Sequence, residues 1–155
     1  MLKTGIRYRV EELVPHRGSM CLLDSIDGYG DDWLRASVVT RRSSLFAQDD
    51  GMPAWMGIEY MAQAAAAFGG IEQLQRGEKP SIGLLIGSRY YRAVRTSIPF
   101  DTRLDVLATI AMRDAEDFAA YDCTLSVAGA PIAQCTLKAY RPRDLQPLLS
   151  EAARD

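Results

Sequence analysis

Residues 51–71, GMPAWMGIEYMAQAAAAFGGI, carry one charged side chain, Glu59, in a run that is otherwise apolar or uncharged. Such a run predicts a helix buried on nearly every side, and a helix of that kind folds only if other elements wrap around it. An isolated ionised carboxylate in a low-dielectric interior is costly, and the cost is met by neutralising the group or by pairing it. A carboxyl held in such a place is suited to exchanging protons, which makes Glu59 the first candidate for chemistry. The structural alternative is a carboxylate hydrogen-bonded into the core.

With 155 residues, 48% of them hydrophobic, the chain has material for one core, and residues 1–155 read as a single domain. A net charge of −2 and a pI near 5.4 argue against general affinity for nucleic acid or anionic membranes. The opening MLKTGIRYRVEELV lacks the apolar core of a signal peptide, and Cys21, Cys123 and Cys135 have no metal-type spacing. Both features predict a reducing, cytoplasmic setting with buried thiols. Glu59, Gln63 and the Gly69-Gly70 pair interrupt the apolar run, so it reads as a core helix rather than a membrane span.

Residues 8–13 suit one or two helical turns ended by Pro15, because the residue before a proline is pushed out of the α region. Residues 20–26 and 33–40 read as strands of a hairpin, with Asp27-Gly28 and Gly30-Asp31 as turn chemistry. A loop follows the polar residues 41–44. Pro53 then falls near the first turn of the central helix, which is expected to run to about Arg76 and stop at Gly77. Residues 81–92, 103–113, 118–127 and 132–140 alternate with a period near two and read as strands, the last pair joined at Ala128-Gly129. The polar tail after Pro142 is expected to fray.

This order predicts an α+β fold with a long central helix wrapped by one curved antiparallel sheet. The alanine run 64–67 would let helix and sheet backbones approach closely. The face of the helix that one sheet leaves open is best buried against a second subunit, so a dimer is expected.

The segments VPHRGSMCLLDSI (14–26), PAWMGIEYMAQ (53–63) and IGSRYYRAVRTSIPFDTRL (86–104) occur in an order and spacing that resemble the hotdog-fold 3-hydroxyacyl-acyl-carrier-protein dehydratases. The Pro-Ala-Trp opening of the second segment looks more narrowly like the divergent dehydratases of aryl-polyene synthesis clusters. The resemblance implies elimination of water from an acyl thioester, with no metal or nucleotide cofactor and the substrate carried on the phosphopantetheine of an acyl carrier protein. That reaction needs a base for the α-proton, an acid for the departing hydroxide and donors for the charge building on the thioester oxygen. By resemblance, Glu59 matches the helix carboxyl and Ala54 and Trp55 match the backbone N–H donors at the helix start. Gly57 is then expected to leave room for the acyl chain or pantetheine. Ala54 stands where the family carries glycine.

The family's catalytic histidine lies fourteen residues before the acid, and Leu45 occupies that position here, followed by Phe46. Leucine moves no proton. Three readings follow: His16, the only histidine, substitutes as base; the chain pairs with a His-bearing paralogue and contributes Glu59 to a shared site; or the fold serves as an acyl thioesterase, in which a carboxylate activates water without histidine. A non-catalytic stabilising subunit is the remaining alternative.

Gln63 lies one helical turn after Glu59 and is placed to hydrogen-bond it. Arg89, Arg92 and Arg95, interleaved with Tyr90 and Tyr91, concentrate positive charge that would suit a carrier protein or its phosphopantetheine. The alternative is a charged strand edge kept from pairing. Trp55 and Met56 are expected to line or cap the pocket, Asp24 to serve a turn or interface, and Tyr60 and Met61 to pack.

Overall fold

The computed structural model describes residues 7–153. A short helix α1 (Val10–Leu13) leads through a single-turn 3-10 segment (Gly18–Met20) to the hairpin of β1 (Ser25–Tyr29) and β2 (Trp33–Val39). After a long loop come the two-residue strand β3 (Met52–Pro53), a 3-10 turn (Ala54–Met56) and the 19-residue helix α2 (Gly57–Gln75). Then follow β4 (Leu84–Ala93), the short β5 (Ser97–Ile98), β6 (Arg103–Arg113), β7 (Phe118–Val127), β8 (Ala130–Tyr140) and helix α3 (Gln146–Ala152). Six strands form one antiparallel sheet in the order β1-β2-β6-β7-β8-β4, and β3 pairs with β5 separately. Among the described residues, no helix is long and apolar enough to cross a membrane.

Period-two alternation explains how the sheet closes on the helix. Leu34, Ala36 and Val38 of β2, Leu104, Val106 and Ala108 of β6, and Cys123 and Leu125 of β7 are buried and turn to one face. Against that face α2 buries Tyr60, Met61, Ala64, Ala67, Phe68 and Ile71. Gly70 lets α1 pack backbone to backbone on α2, since a Cβ there would run into the Leu13 carbonyl. At the last hairpin Ala128 (φ 49°) and Gly129 (φ 81°) both adopt the left-handed backbone that a two-residue turn requires. The result is the hotdog fold, a central helix wrapped by a curved antiparallel sheet.

Three expectations change. The first strand begins at Ser25 rather than residue 20, because Gly18–Met20 forms a 3-10 turn and Asp27-Gly28 lies inside β1 at a bulge rather than in the turn. Pro53 closes β3 and caps the 3-10 turn that runs into α2 at Gly57, beside the first helical turn as expected. The segment after Pro142 forms α3 instead of fraying, with Pro147 at its start, where its missing N–H costs nothing.

The largest change concerns the surface left for a second subunit. The chain's own sheet and α1 cover most of α2. A cluster of exposed apolar groups lies instead on and beside the edge strand β4, at Ile82, Leu84, Leu85, Ile86, Tyr90 and Val94. An open edge with unpaired backbone groups and apolar side chains is a template for another chain.

Candidate active site

The amino end of α2 is assembled from three parts of the chain. Pairing of β3 with β5 brings Thr96 beside the helix start, and its carbonyl accepts the Ala54 N–H at 2.9 Å. Ala54 is thus spent on the scaffold, contrary to its expected role as a donor to substrate. From β4, the Tyr91 hydroxyl donates to the Ala54 carbonyl. A Cβ at Gly57 would come within 2.5 Å of that hydroxyl, so Gly57 makes room for Tyr91 rather than for an acyl chain or pantetheine. Burial pushes the Tyr91 phenol up to about 12, which keeps it protonated and donating.

The sequence gives no sign of this role for Tyr91. A bulge between Arg89 and Arg92, with Tyr90 at φ 57°, turns the strand locally, and β-propensity says nothing about where such a bulge falls.

Glu59 lies in the first turn of α2, where the helix dipole favours negative charge. Its side chain is 34% exposed, so it sits at the rim of the core rather than deep within it, which corrects the burial expected from the surrounding sequence. Gln63, fully buried one turn later, donates from Nε2 to Glu59 Oε1 at 2.9 Å and to the Met20 carbonyl at 2.8 Å. Its Oε1 accepts the Leu22 N–H at 2.9 Å. One amide therefore ties the carboxylate to the 18–22 loop and fixes its rotamer.

His16 Nε2 lies 3.5 Å from Glu59 Oε1, and the imidazole is 28% exposed. Its Nδ1 is buried without a partner. Arg17 Nη1 bonds the carbonyls of Val14 (2.6 Å) and His16 (2.7 Å), which pins the loop that carries the ring. Two groups able to exchange protons thus face each other within one chain and share solvent access.

Leu45 is 55% exposed, and Phe46 meets the exposed Trp55 ring edge-on at 6.0 Å. Trp55 and Phe46 form an apolar lip beside the helix start, whereas Met56 is buried in the core. Asp24 accepts the Val39 N–H and pairs with Arg41, a local role at the hairpin, and Tyr60 and Met61 pack as expected.

Arg89, Arg92 and Arg95 are all exposed, and among the described residues none is paired with a carboxylate. They do not form one patch at the site. Arg92 and Tyr90 line a groove of about 480 Å³ with Asp122, Gln134 and Thr136, on the sheet face turned away from α2. Arg95 instead neighbours Thr96 and so flanks the helix start. Among the described residues, no group of three His, Cys, Asp or Glu side chains gathers where it would hold a metal ion.

A family model described as ApeP-like, ApeP dehydratase, matches residues 8–150. The structure of the dehydratase heterocomplex ApeI:P from Xenorhabdus doucetiae contains a chain 26% identical, with a TM-score of 0.86, covering 93% of this chain and 97% of that one. A homologue of HP0420 from Helicobacter felis shares the fold at 13% identity and a TM-score of 0.64, covering 86% of this chain and 88% of that one. So does a hypothetical thioesterase with coenzyme A from Streptococcus pneumoniae, at 10% identity, a TM-score of 0.57 and coverage of 75% and 83%. No curated protein sequence matches the chain. With a family model spanning nearly the whole chain and a site built on a helix carboxylate, the protein belongs to the ApeP-like dehydratase family.

Proposed function

We propose that the chain is the acid-bearing subunit of a two-chain dehydratase that converts a 3-hydroxyacyl thioester on an acyl carrier protein into the enoyl thioester. The observation that carries this reading is Glu59, clamped by Gln63 yet one-third exposed at the amino end of α2. In the reaction a base takes the α-proton, the C–O bond to the β-hydroxyl breaks, and Glu59 gives the departing hydroxide its proton. That proton leaves with the water, the base gives up the proton it took from Cα, and His16, 3.5 Å away, is placed to relay a replacement proton to Glu59 between turnovers. With the Ala54 N–H occupied, the Trp55 N–H and the positive end of the helix dipole are the features assigned to the thioester oxygen.

Leu45 supplies no base, and its exposure beside Phe46 and Trp55 fits a surface that faces another chain. The partner in this reading is a His-bearing paralogous dehydratase joined along β4, in a cytoplasmic setting. The likeness to a chain of a dehydratase heterocomplex supports it. The carrier protein is assigned to the arginines, Arg95 nearest the site and Arg89 and Arg92 on the strand that leads to it.

The closeness of His16 and Glu59 favours a second reading, in which His16 is itself the base and the chain works alone. A 3-hydroxyacyl thioester assay on the pure chain, with and without the paralogue, separates the two. Enoyl formation only in the mixture supports the shared site, and full turnover by the pure chain supports His16. Release of free thiol without enoyl product would instead make the protein a thioesterase.

A further inference from the structure

A cavity of about 690 Å³ opens at the other end of α2, between its last turns, the start of β7 and the end of β8. Its residues Glu72 and Gln73 lie 13 and 14 positions after Glu59, which at a rise of 1.5 Å per residue places the cavity about 20 Å from the candidate active site. The volume is in the range of small-molecule sites.

The lining holds four arginines and four carboxylates, and three of the arginines are paired. Arg113 makes two bonds to Glu72 (2.9 and 2.7 Å), Arg76 two to Glu78 (2.9 and 3.1 Å), and Arg143 bonds Asp117 at 3.1 Å. Asp114 is occupied by the backbone N–H groups of Glu116 and Phe118. Arg141 remains. Among the described residues its side chain has no ion pair and no hydrogen bond, and its Nε is buried without an acceptor.

The guanidinium is nevertheless seated. Its Nη2 lies over Gly69, where any Cβ would collide with it, so the helix is shaped to receive this group. Phe118 and Tyr140, stacked with centroids 4.4 Å apart, supply an aromatic wall to the same cavity.

We propose that this cavity is a binding site for a small organic monocarboxylate with an aromatic or acyl body, held by Arg141. A planar guanidinium matches a carboxylate fork, and a ligand acceptor would satisfy donors the protein leaves unpaired. Among the described residues Arg141 is the one guanidinium of the lining without a carboxylate partner, so a single carboxylate suits it. With the other three arginines engaged by Glu72, Glu78 and Asp117, and Asp114 without a cationic partner, the lining has, among the described residues, no second free cation for a dianion such as phosphate. The apolar wall favours a ligand with an apolar part. The site is separate from the dehydratase chemistry and stands without the functional reading above.

The test uses the full chain, titrated by calorimetry with benzoate, octanoate, benzamide and inorganic phosphate. Benzoate or octanoate is expected to bind, benzamide is not, and Arg141→Gln is expected to weaken the carboxylate at least tenfold, with Arg141→Lys in between. The Arg141 Nε–H resonance of the unmodified protein, followed by NMR in the same titration, keeps the test decisive should Arg141→Gln fail to fold. Binding of phosphate alone, equal binding by Arg141→Gln, a resonance that carboxylates leave unmoved, or no binding by any probe would each overturn the proposal.

Discussion

His16 Nε2 and Glu59 Oε1 lie 3.5 Å apart in one chain, although the expected partner of a dehydratase carboxylate, a histidine at position 45, is replaced by an exposed leucine. The acid is in place with its rotamer fixed. Each contact of this carboxylate has a measurable consequence.

Gln63 is a positioning residue whose removal has two separable effects. Gln63→Leu leaves the Leu22 N–H and the Met20 carbonyl without a side-chain partner and frees Glu59. We expect a stability loss of about 1–3 kcal/mol by denaturant unfolding. The kcat should fall by more than that loss explains when measured where the variant is fully folded. A variant with full kcat would mean that Glu59 needs no clamp.

Alkaline stability should report the phenols of Tyr60 and Tyr91. Burial raises both Tyr60 and Tyr91 to about 12, against 10.0 for the free side chain. A raised folded-state value means that their contribution is complete below pH 10 and is lost as pH climbs from about 10 to 12, because the unfolded chain gives up those protons first. Tyr91→Phe should be less stable than the parent near neutrality, by about 1 kcal/mol for its bond to the Ala54 carbonyl, and should decline less steeply above pH 10. Parallel decline of the two proteins, followed by circular dichroism, would refute the assignment for Tyr91.

The edge strand should govern association. Leu85 and Ile86 are exposed on β4, so Leu85→Asp should change the stability of the lone chain by no more than about 0.5 kcal/mol. Light scattering should show that the same change abolishes pairing with the paralogue, because an inserted charge blocks strand addition. Undiminished pairing would move the interface elsewhere.

Charge reversal at Arg92 and Arg95 should weaken capture of an acyl carrier protein, with the larger effect at low salt. Arg95→Glu should matter more than Arg92→Glu, since Arg95 flanks the helix start while Arg92 lines the groove on the far face of the sheet. Equal affinities across salt concentrations would remove the arginines from the binding surface.

Much of the architecture was legible because periodicity reports burial directly. The limits of β6 and β7 coincide with the sequence reading, and α2 stops at the glycine that breaks it. The motif around Glu59 and Gln63 also marked the two residues that prove to be bonded. What could not be read depends on contacts between distant segments. The Ala54 N–H is taken by Thr96 and the Gly57 space by Tyr91, and both contacts depend on a strand bulge and on the β3–β5 pair. Glu59 looked deeply buried because its neighbours are apolar, yet it occupies the helix's first turn, where the flanking loop leaves it partly open. His16 could be named as the only histidine, but its approach to Glu59 depends on the fold of the loop after Pro15.

The most direct test is the rate of enoyl formation by the complex of this chain with a His-bearing paralogue, comparing the parent with Glu59→Gln. A general acid contributes about 10²–10⁴-fold, and we expect a loss of that size with assembly and thermal stability retained. Unchanged turnover by an intact Glu59→Gln complex would contradict the account, because the chain would then contribute structure to the dehydratase and no proton.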